Sequence, residues 1–239
     1  MRIAVVSDIH GNRTAFEAVL ADLRQTSPDV IFHGGDLAHG GASPAEIVDR
    51  VRDLGWQGVI GNTDEMLAMP EALEEFAGQM PHLHALFSVI REMAAVTREA
   101  LGDERLVLLN SLPRSQVHGS MALVHASPVS LWRAPAPDVA DAELESIYGP
   151  LSQPVAIYAH IHQSYIRRVT GLTVVNTGSV SLSYDGDPRA SYLLLDDLEP
   201  EIRRVEYDIE REVQALVHGG FPHADWVAKT LKTGRFEMP

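Results

Sequence analysis

The chain has 239 residues, 45% of them hydrophobic and 22% charged, with 33 acidic against 19 basic residues and no cysteine. A formal charge of −14, with no run of Lys or Arg longer than two, disfavours stable binding of a polyanion such as nucleic acid. Disulfides, thiolate nucleophiles and cysteine–zinc sites are excluded, and no stretch approaches the roughly 20 apolar residues of a membrane span.

The length suits one large domain, 1–239, or a domain carrying a substantial insertion. A strand begins at once, with no basic segment and apolar run of the secretory type, so a cytoplasmic location is the expectation. In "MRIAVVSDIHGN" the run Ile3–Val6 is short, β-branched and closed by a Gly-Asn turn signal, which predicts a buried strand. Alternation along that strand is expected to place Asp8 and His10 side by side at its end. "TAFEAVLADLRQTSP" repeats its apolar residues at helical spacing, with Thr14 as the expected N-cap and Glu17 as its capping-box partner.

"DVIFHGGD" then predicts a second strand ending at Asp36, "PAEIVDRVRDLG" a second helix, and "WQGVIGN" a third short strand ending at Asn62. This alternation argues a layered α/β fold, whose ligands gather beyond the carboxyl ends of the strands. Residues 65–105 change character and predict a helical insertion, a cap, beside the site. From about residue 106 strands return: "RLVLLNSLP", "SMALVHASP", "PVAIYAHIH", "SYIRRVTGLTVVNTGS", "SYLLLDD" and "EIRRVEYDI", before a last segment with "DWVAKTL". Several lie at hairpin spacing, so this half is expected to be antiparallel or mixed.

The chemistry gathers at strand ends. "VHASP" presents His125, and "YAHIH" presents His160 and His162. With Asp8, His10, Asp36 and Asn62 these make seven donors of the type that suits manganese, iron or zinc. One acid–imidazole pair alone reads equally well as a solvated turn, but that reading does not explain the same placement five times over. Seven donors exceed a single zinc site and match two ions sharing a ligand, held about 3.5–4 Å apart, with Asp36 the natural bridge. The other histidines are expected at the surface or in packing, His33 and His39 being the least safe to dismiss because they flank Asp36. A phosphate-loop NTPase is excluded because "GGDLAHGGAS" has no Lys, and no G-x-G-x-x-G opens a helix.

The ordered set "DIH", "GGD", "GN", "VH", "AHIH" resembles the calcineurin-like metallophosphoesterases, most of all their small bacterial and archaeal branch that opens with "SDIHGN". The likeness runs from Met1 to about Ser179. It implies a four-layer αββα sandwich of two mixed β-sheets flanked by helices, with two divalent ions (manganese, iron, zinc or nickel) at its edge. It assigns Asp8, His10 and His162 to one ion and Asn62, His125 and His160 to the other, with Asp36 bridging. Asp36, Asn62 and His125 are then the catalytic set, acting on a small phosphate ester through a metal-activated water. Asn12, which follows the "DIHG" turn, and Ser127 and Arg133 in "HASPVSLWRAP" are candidate substrate contacts; Asn12 reads equally as turn punctuation. Nothing in the sequence speaks to oligomeric state.

One departure matters. The family commonly places His directly after the metal-binding Asn, and here "GNTDEM" has Thr63 there. Threonine cannot supply a proton with a pKa near 7, so poor leaving groups suffer most. Asp64 replaces that acid only if its pKa is raised by burial or by other carboxylates. A phosphodiesterase is therefore expected ahead of a monoesterase or protein-phosphatase-like activity. A non-catalytic metal-binding scaffold is the alternative from a different class.

Overall fold

The computed structural model describes residues 1–239. Its strands are β1 (Arg2–Val6), β2 (Val30–His33), β3 (Gln57–Gly58), β4 (Ser115–His118), β5 (Met121–Val124), β6 (Val155–Tyr158), β7 (Tyr165–Val169), β8 (Leu172–Asn176), β9 (Ala190–Asp196) and β10 (Glu199–Val205). Its helices are α1 (Arg13–Thr26), α2 (Pro44–Asp53), α3 (Asn62–Ala68), α4 (Glu71–Gly78), α5 (His84–Asn110), α6 (Asp141–Tyr148), α7 (Ile209–His218) and α8 (Ala224–Thr233).

The apolar run at the start forms the centre of a five-stranded sheet ordered β10-β9-β1-β2-β3. β1 pairs parallel with β2 and antiparallel with β9, so the sheet is mixed. The second sheet, β4-β5-β6-β8-β7, is mixed as well, with β6 parallel to both β5 and β8. Period-two alternation then sorts the side chains of β1 into two cores. Ile3 and Val5 face the second sheet, where they meet Leu123, Ile157 and Val175. Ala4 and Val6 face the helices, where Phe16, Val19, Ile47 and Val51 pack. On the far side of the second sheet, Ala156 and Val174 meet Leu144 and Tyr148 of α6. The result is the four-layer αββα sandwich of two mixed sheets.

The helical segment from α3 to α5 adds Met66, Leu67, Leu73 and Phe87 to the core on the helix side of the first sheet. The other side of α5 carries Val89 and Met93, which pack on Leu216 of α7 and on Val227 and Leu231 of α8. α5 thus stands between the sandwich and the last two helices, and one edge of this seam opens beside the strand ends.

Three local expectations are corrected. "RLVLL" is not a strand: it is the last turns of α5, beyond a break at Gly102 (φ 66°). A short apolar run fits either element, and here Leu106, Leu108 and Leu109 pack into the helix-side core. Second, α1 is capped by Asn12, whose side chain accepts from the Ala15 N–H at 2.9 Å. Thr14 lies inside the helix and its hydroxyl donates to Glu212 at 2.7 Å instead. Third, the strand expected in "WQGVIGN" is confined to β3, and Asn62 opens α3 instead of ending the strand; β4, the largely polar "SQVH", α6 and α7 were not among the expected elements.

Candidate metal centre

β1 ends at Val6, so strand alternation does not place Asp8 and His10. Their loop does, by an unusual backbone. Asp8 (φ 53°), His10 (φ 49°), Asp36 (φ 55°), His160 (φ 67°) and His162 (φ 55°) are all left-handed. That region is uncommon for residues other than glycine, and each instance costs about 1–2 kcal/mol. It persists where surroundings over-determine it. Here the amides of Asp8, His10 and Gly11 donate to the carbonyls of Gly35, Asp36 and Leu37 at 3.0, 3.0 and 2.8 Å. The ladder between β1 and β2 therefore continues past both strands and locks the two loops together. Gly61 is obligatory for the same packing: a Cβ there would lie 2.0 Å from Asp36 Oδ1.

The loops bring all seven candidate donors to one edge of the sandwich. Ligand atoms of Asp8, His10, Asp36 and His162 lie within 4.8 Å of one another, and all four residues are buried. Nδ1 of His10, His162 and His125 sits 2.6, 2.5 and 2.8 Å from the carbonyl oxygens of His39, Leu182 and Gly34. A carbonyl only accepts, so each Nδ1 carries a proton and, in the neutral ring, Nε2 turns its lone pair to the centre. His10 Nε2 and His162 Nε2 are then 3.2 Å apart with lone pairs opposed. Both carboxylate oxygens of Asp8 are buried without a hydrogen-bond partner. Such a set is costly alone and is satisfied by a cation, so these residues fit a divalent ion.

The other half is built on Asn62, whose Oδ1 lies 2.9 Å from His125 Nε2 and 2.8 Å from His160 Nδ1. Asp36 spans the two halves. Its Oδ2 is 3.7 Å from His10 Nε2, and its Oδ1 is 3.6 Å from His125 Nε2.

Charge is tuned accordingly. Burial pushes Asp36 and Asp8 up, yet the histidines around them outweigh it and hold both below the usual carboxylate range. Burial lowers His10, and lowers His160 to about 4 with help from His125. His125 goes the other way: burial lowers it, but Asp36 and Asp8 outweigh burial and raise it. At neutral pH the centre thus offers ionised carboxylates at Asp8 and Asp36 and neutral imidazoles at His10 and His160, the forms that ligate, whereas His125 is held towards its protonated form, so a cation entering beside it displaces a proton.

The structure does not bring the three candidate substrate contacts into the cleft at this centre. Asn12 is buried, its amide used to cap α1 and to donate to Ser181 at 3.1 Å. Ser127 closes its own turn on Ser130. Arg133 is tied to Gln79 at 2.6 Å and lies over the Phe76 ring, away from the centre.

Other groups at the site had no motif of their own. Asp64 is fully buried, and its oxygens accept from the amides of Asp36, Leu37 and Gly61 at 2.8, 3.0 and 3.0 Å. Burial, then Asp36, pushes it up to about 6. The pKa condition for a replacement acid is met, but both oxygens face backbone amides, so Asp64 ties loops together and does not reach substrate. His39 lines the cleft and its carbonyl orients His10; burial, then His10, lowers it to about 3. His33 is buried away from the cleft and lowered to about 4 by burial.

A four-layer sandwich with these loops at its edge defines a metal-dependent phosphoester hydrolase. The chain belongs to the calcineurin-like phosphoesterase superfamily, whose domain model matches residues 1–199 and whose members bind divalent metal ions. A metallophosphoesterase from Sphaerobacter thermophilus is 28% identical over 98% of this chain and 99% of that one, with a TM-score of 0.81. An uncharacterised protein of Methanocaldococcus jannaschii is 30% identical over 98% of both chains. A hypothetical protein from Pyrococcus horikoshii shares the fold with a TM-score of 0.85 at 21% identity, over 99% of each chain. No helix is long and apolar enough to cross a membrane.

A stability prediction follows from the opposed lone pairs and the orphaned Asp8. Stripping metal with a chelator is expected to lower Tm by about 5–10 °C, the loss of a few kcal/mol of ligand linkage in a chain of this size. Returning the ion should restore it. An unchanged Tm in differential scanning calorimetry would show that protons alone satisfy the cluster.

Proposed function

We propose that the chain is a dinuclear metal-dependent phosphodiesterase acting on a small ester. Asp8, His10 and His162 hold one ion, and Asn62, His125 and His160 the other. Asp36 lies between, and the ions are manganese, iron, zinc or nickel. The observation that carries the two-ion reading is the placement of the two Asp36 oxygens, one towards each half. When bound, the ions supply an activated water near neutral pH and neutralise charge growing on phosphate oxygens.

The chain's own contribution is to fix the donors. Backbone carbonyls lock three imidazoles in one tautomer, and Asp64 binds the loop of Asp36 to that of Asn62. Thr63 decides the ester class. Its amide donates to Asp36 Oδ1 at 2.9 Å, and the residue lines the cleft while its hydroxyl is buried without a partner. That hydroxyl can donate a hydrogen bond but has no proton to give near neutral pH. No Lys or Arg lines the cleft, so the single charge of a diester suits it better than the double charge of a monoester.

The test compares bis(p-nitrophenyl) phosphate with p-nitrophenyl phosphate on manganese-loaded protein. The diester is expected to be preferred by at least about tenfold in kcat/KM, a modest share of what a positioned general acid contributes. Thr63→His should raise turnover of esters with poor leaving groups and flatten the dependence of rate on leaving-group pKa. An unchanged dependence would remove the argument from Thr63. Turnover of neither ester would favour the scaffold.

A further inference from the structure

The metal centre opens into a cleft of about 180 Å³, which takes in His10, Asp36, Asn62, His160 and His162 at one end and an aromatic chamber at the other. Ten of its 19 lining residues are hydrophobic, and none is Lys or Arg. One wall is Leu86, Ile90 and Met93 of α5, and another is Trp132, whose indole N–H is held by Glu65 at 2.6 Å. The rest comes from the far end of the chain. Tyr184 stacks on His162, with centroids 4.5 Å apart at 24°. Phe236 meets Tyr184 edge-on at 5.4 Å and Trp226 at 6.3 Å. The segment after α8 is pinned there: the Trp226 indole donates to the Glu237 carbonyl at 2.7 Å, and Lys229 pairs with Glu237.

An unbroken run of rings thus leads from a candidate metal ligand to residues 226 and 236, which lie beyond the stretch matched by the family model. Core packing does not require this arrangement, since Phe236 is 42% exposed. The chamber is smaller than the roughly 300–1,000 Å³ of sites that bury drug-sized ligands. It has apolar walls and opens at the reacting centre.

We propose that this chamber seats the second ester group of the substrate, a neutral apolar group of one or two aromatic rings, and that it rejects esters carrying a further phosphate. The proposal rests on the phosphodiesterase reading and names its substrate class. A second phosphate entering here would meet aromatic and aliphatic carbon with no cation to pair it, and would lose its hydration without replacement. An aryl group gains by leaving water and by stacking on Tyr184, Phe236 and Trp226.

The experiment holds the leaving group constant. Diesters of p-nitrophenol whose other arm is methyl, phenyl, 2-naphthyl or a phosphorylated alkyl chain are compared on manganese-loaded protein. The naphthyl ester should exceed the methyl ester by at least about tenfold in kcat/KM, the discrimination an apolar pocket supplies for small differences in burial, and the phosphorylated ester should be the poorest. Phe236→Ala should compress the naphthyl-to-methyl ratio. Binding is read separately, by quenching of tryptophan fluorescence with 2-naphthyl methylphosphonate, against displacement by the methyl analogue. Equal turnover of all arms, or a ratio that Phe236→Ala leaves intact, overturns the chamber and leaves the phosphodiesterase standing. Tight naphthyl phosphonate binding without turnover of any ester keeps the chamber and overturns the phosphodiesterase. Neither binding preference nor turnover overturns both.

Discussion

Asp36→Asn is expected to reduce kcat on a diester by on the order of 10³-fold or more and to lower the number of metal equivalents retained. The substitution is isosteric, so the tight approach of Gly61 to Asp36 Oδ1 survives it. The charge does not. Asp36 is held ionised by His125, His10 and His160, and it faces both halves of the centre at once. An amide keeps one neutral acceptor and turns its NH₂ towards either His10 Nε2 or the amide of Thr63, which already donates there. Either orientation deprives both halves of their shared anion and leaves one of them without an acceptor oxygen as well. Metal content by mass spectrometry, beside turnover of bis(p-nitrophenyl) phosphate, checks this. Two retained ions with full turnover would show that Asp36 does not lie between them.

The donors of the centre were legible because strand ends are. Each follows an apolar run that reads as a strand without help from tertiary structure, as Val30–His33 leads to Asp36 and Val155–Tyr158 to His160. Alternation along β1 is not what sets Asp8 and His10 side by side: left-handed turns locked by cross-loop amides aim them. Such φ values leave no mark in composition when the residue is Asp or His. Asn12 and Thr14 were confused because both are good caps, and only the partner of Thr14, nearly 200 residues away on α7, separates them. "RLVLL" misleads because four apolar residues in a row, Leu106–Leu109, suit a buried strand and a helix end alike. The insertion and the loop around Trp132 are legible as pocket walls, but the far wall of the chamber is not: Tyr184, Trp226 and Phe236 are scattered singly, and only packing gathers them. Asp64 is legible in "GNTDEM" as a candidate acid but not as a tie between loops, a role that only its three amide donors show.

Those three donors make Asp64→Ala the most destabilising change expected near the centre. Removing the carboxylate leaves the buried amides of Asp36, Leu37 and Gly61 without acceptors, and each such group costs about 1–3 kcal/mol. For a chain of this length about 3 kcal/mol lowers Tm by about 10 °C. The loops of Asp36 and Asn62 also lose their tie, so metal content should fall although no donor has been changed. Asp64→Asn, which keeps one acceptor oxygen, should be intermediate. The pH dependence has a definite sign. The folded-state pKa of Asp64 is raised to about 6 from an ordinary 3.8, so the protonated form is the one the fold favours. The stability this group contributes is therefore complete below about pH 4 and is lost as pH rises towards and through about 6. In chelator-treated protein the gap in Tm between wild type and Asp64→Ala should narrow between about pH 5 and 7, because only the wild type carries that loss. A gap that widens over the same range would mean that the three amides outweigh burial and the charge of Asp36, and that Asp64 is held as the anion.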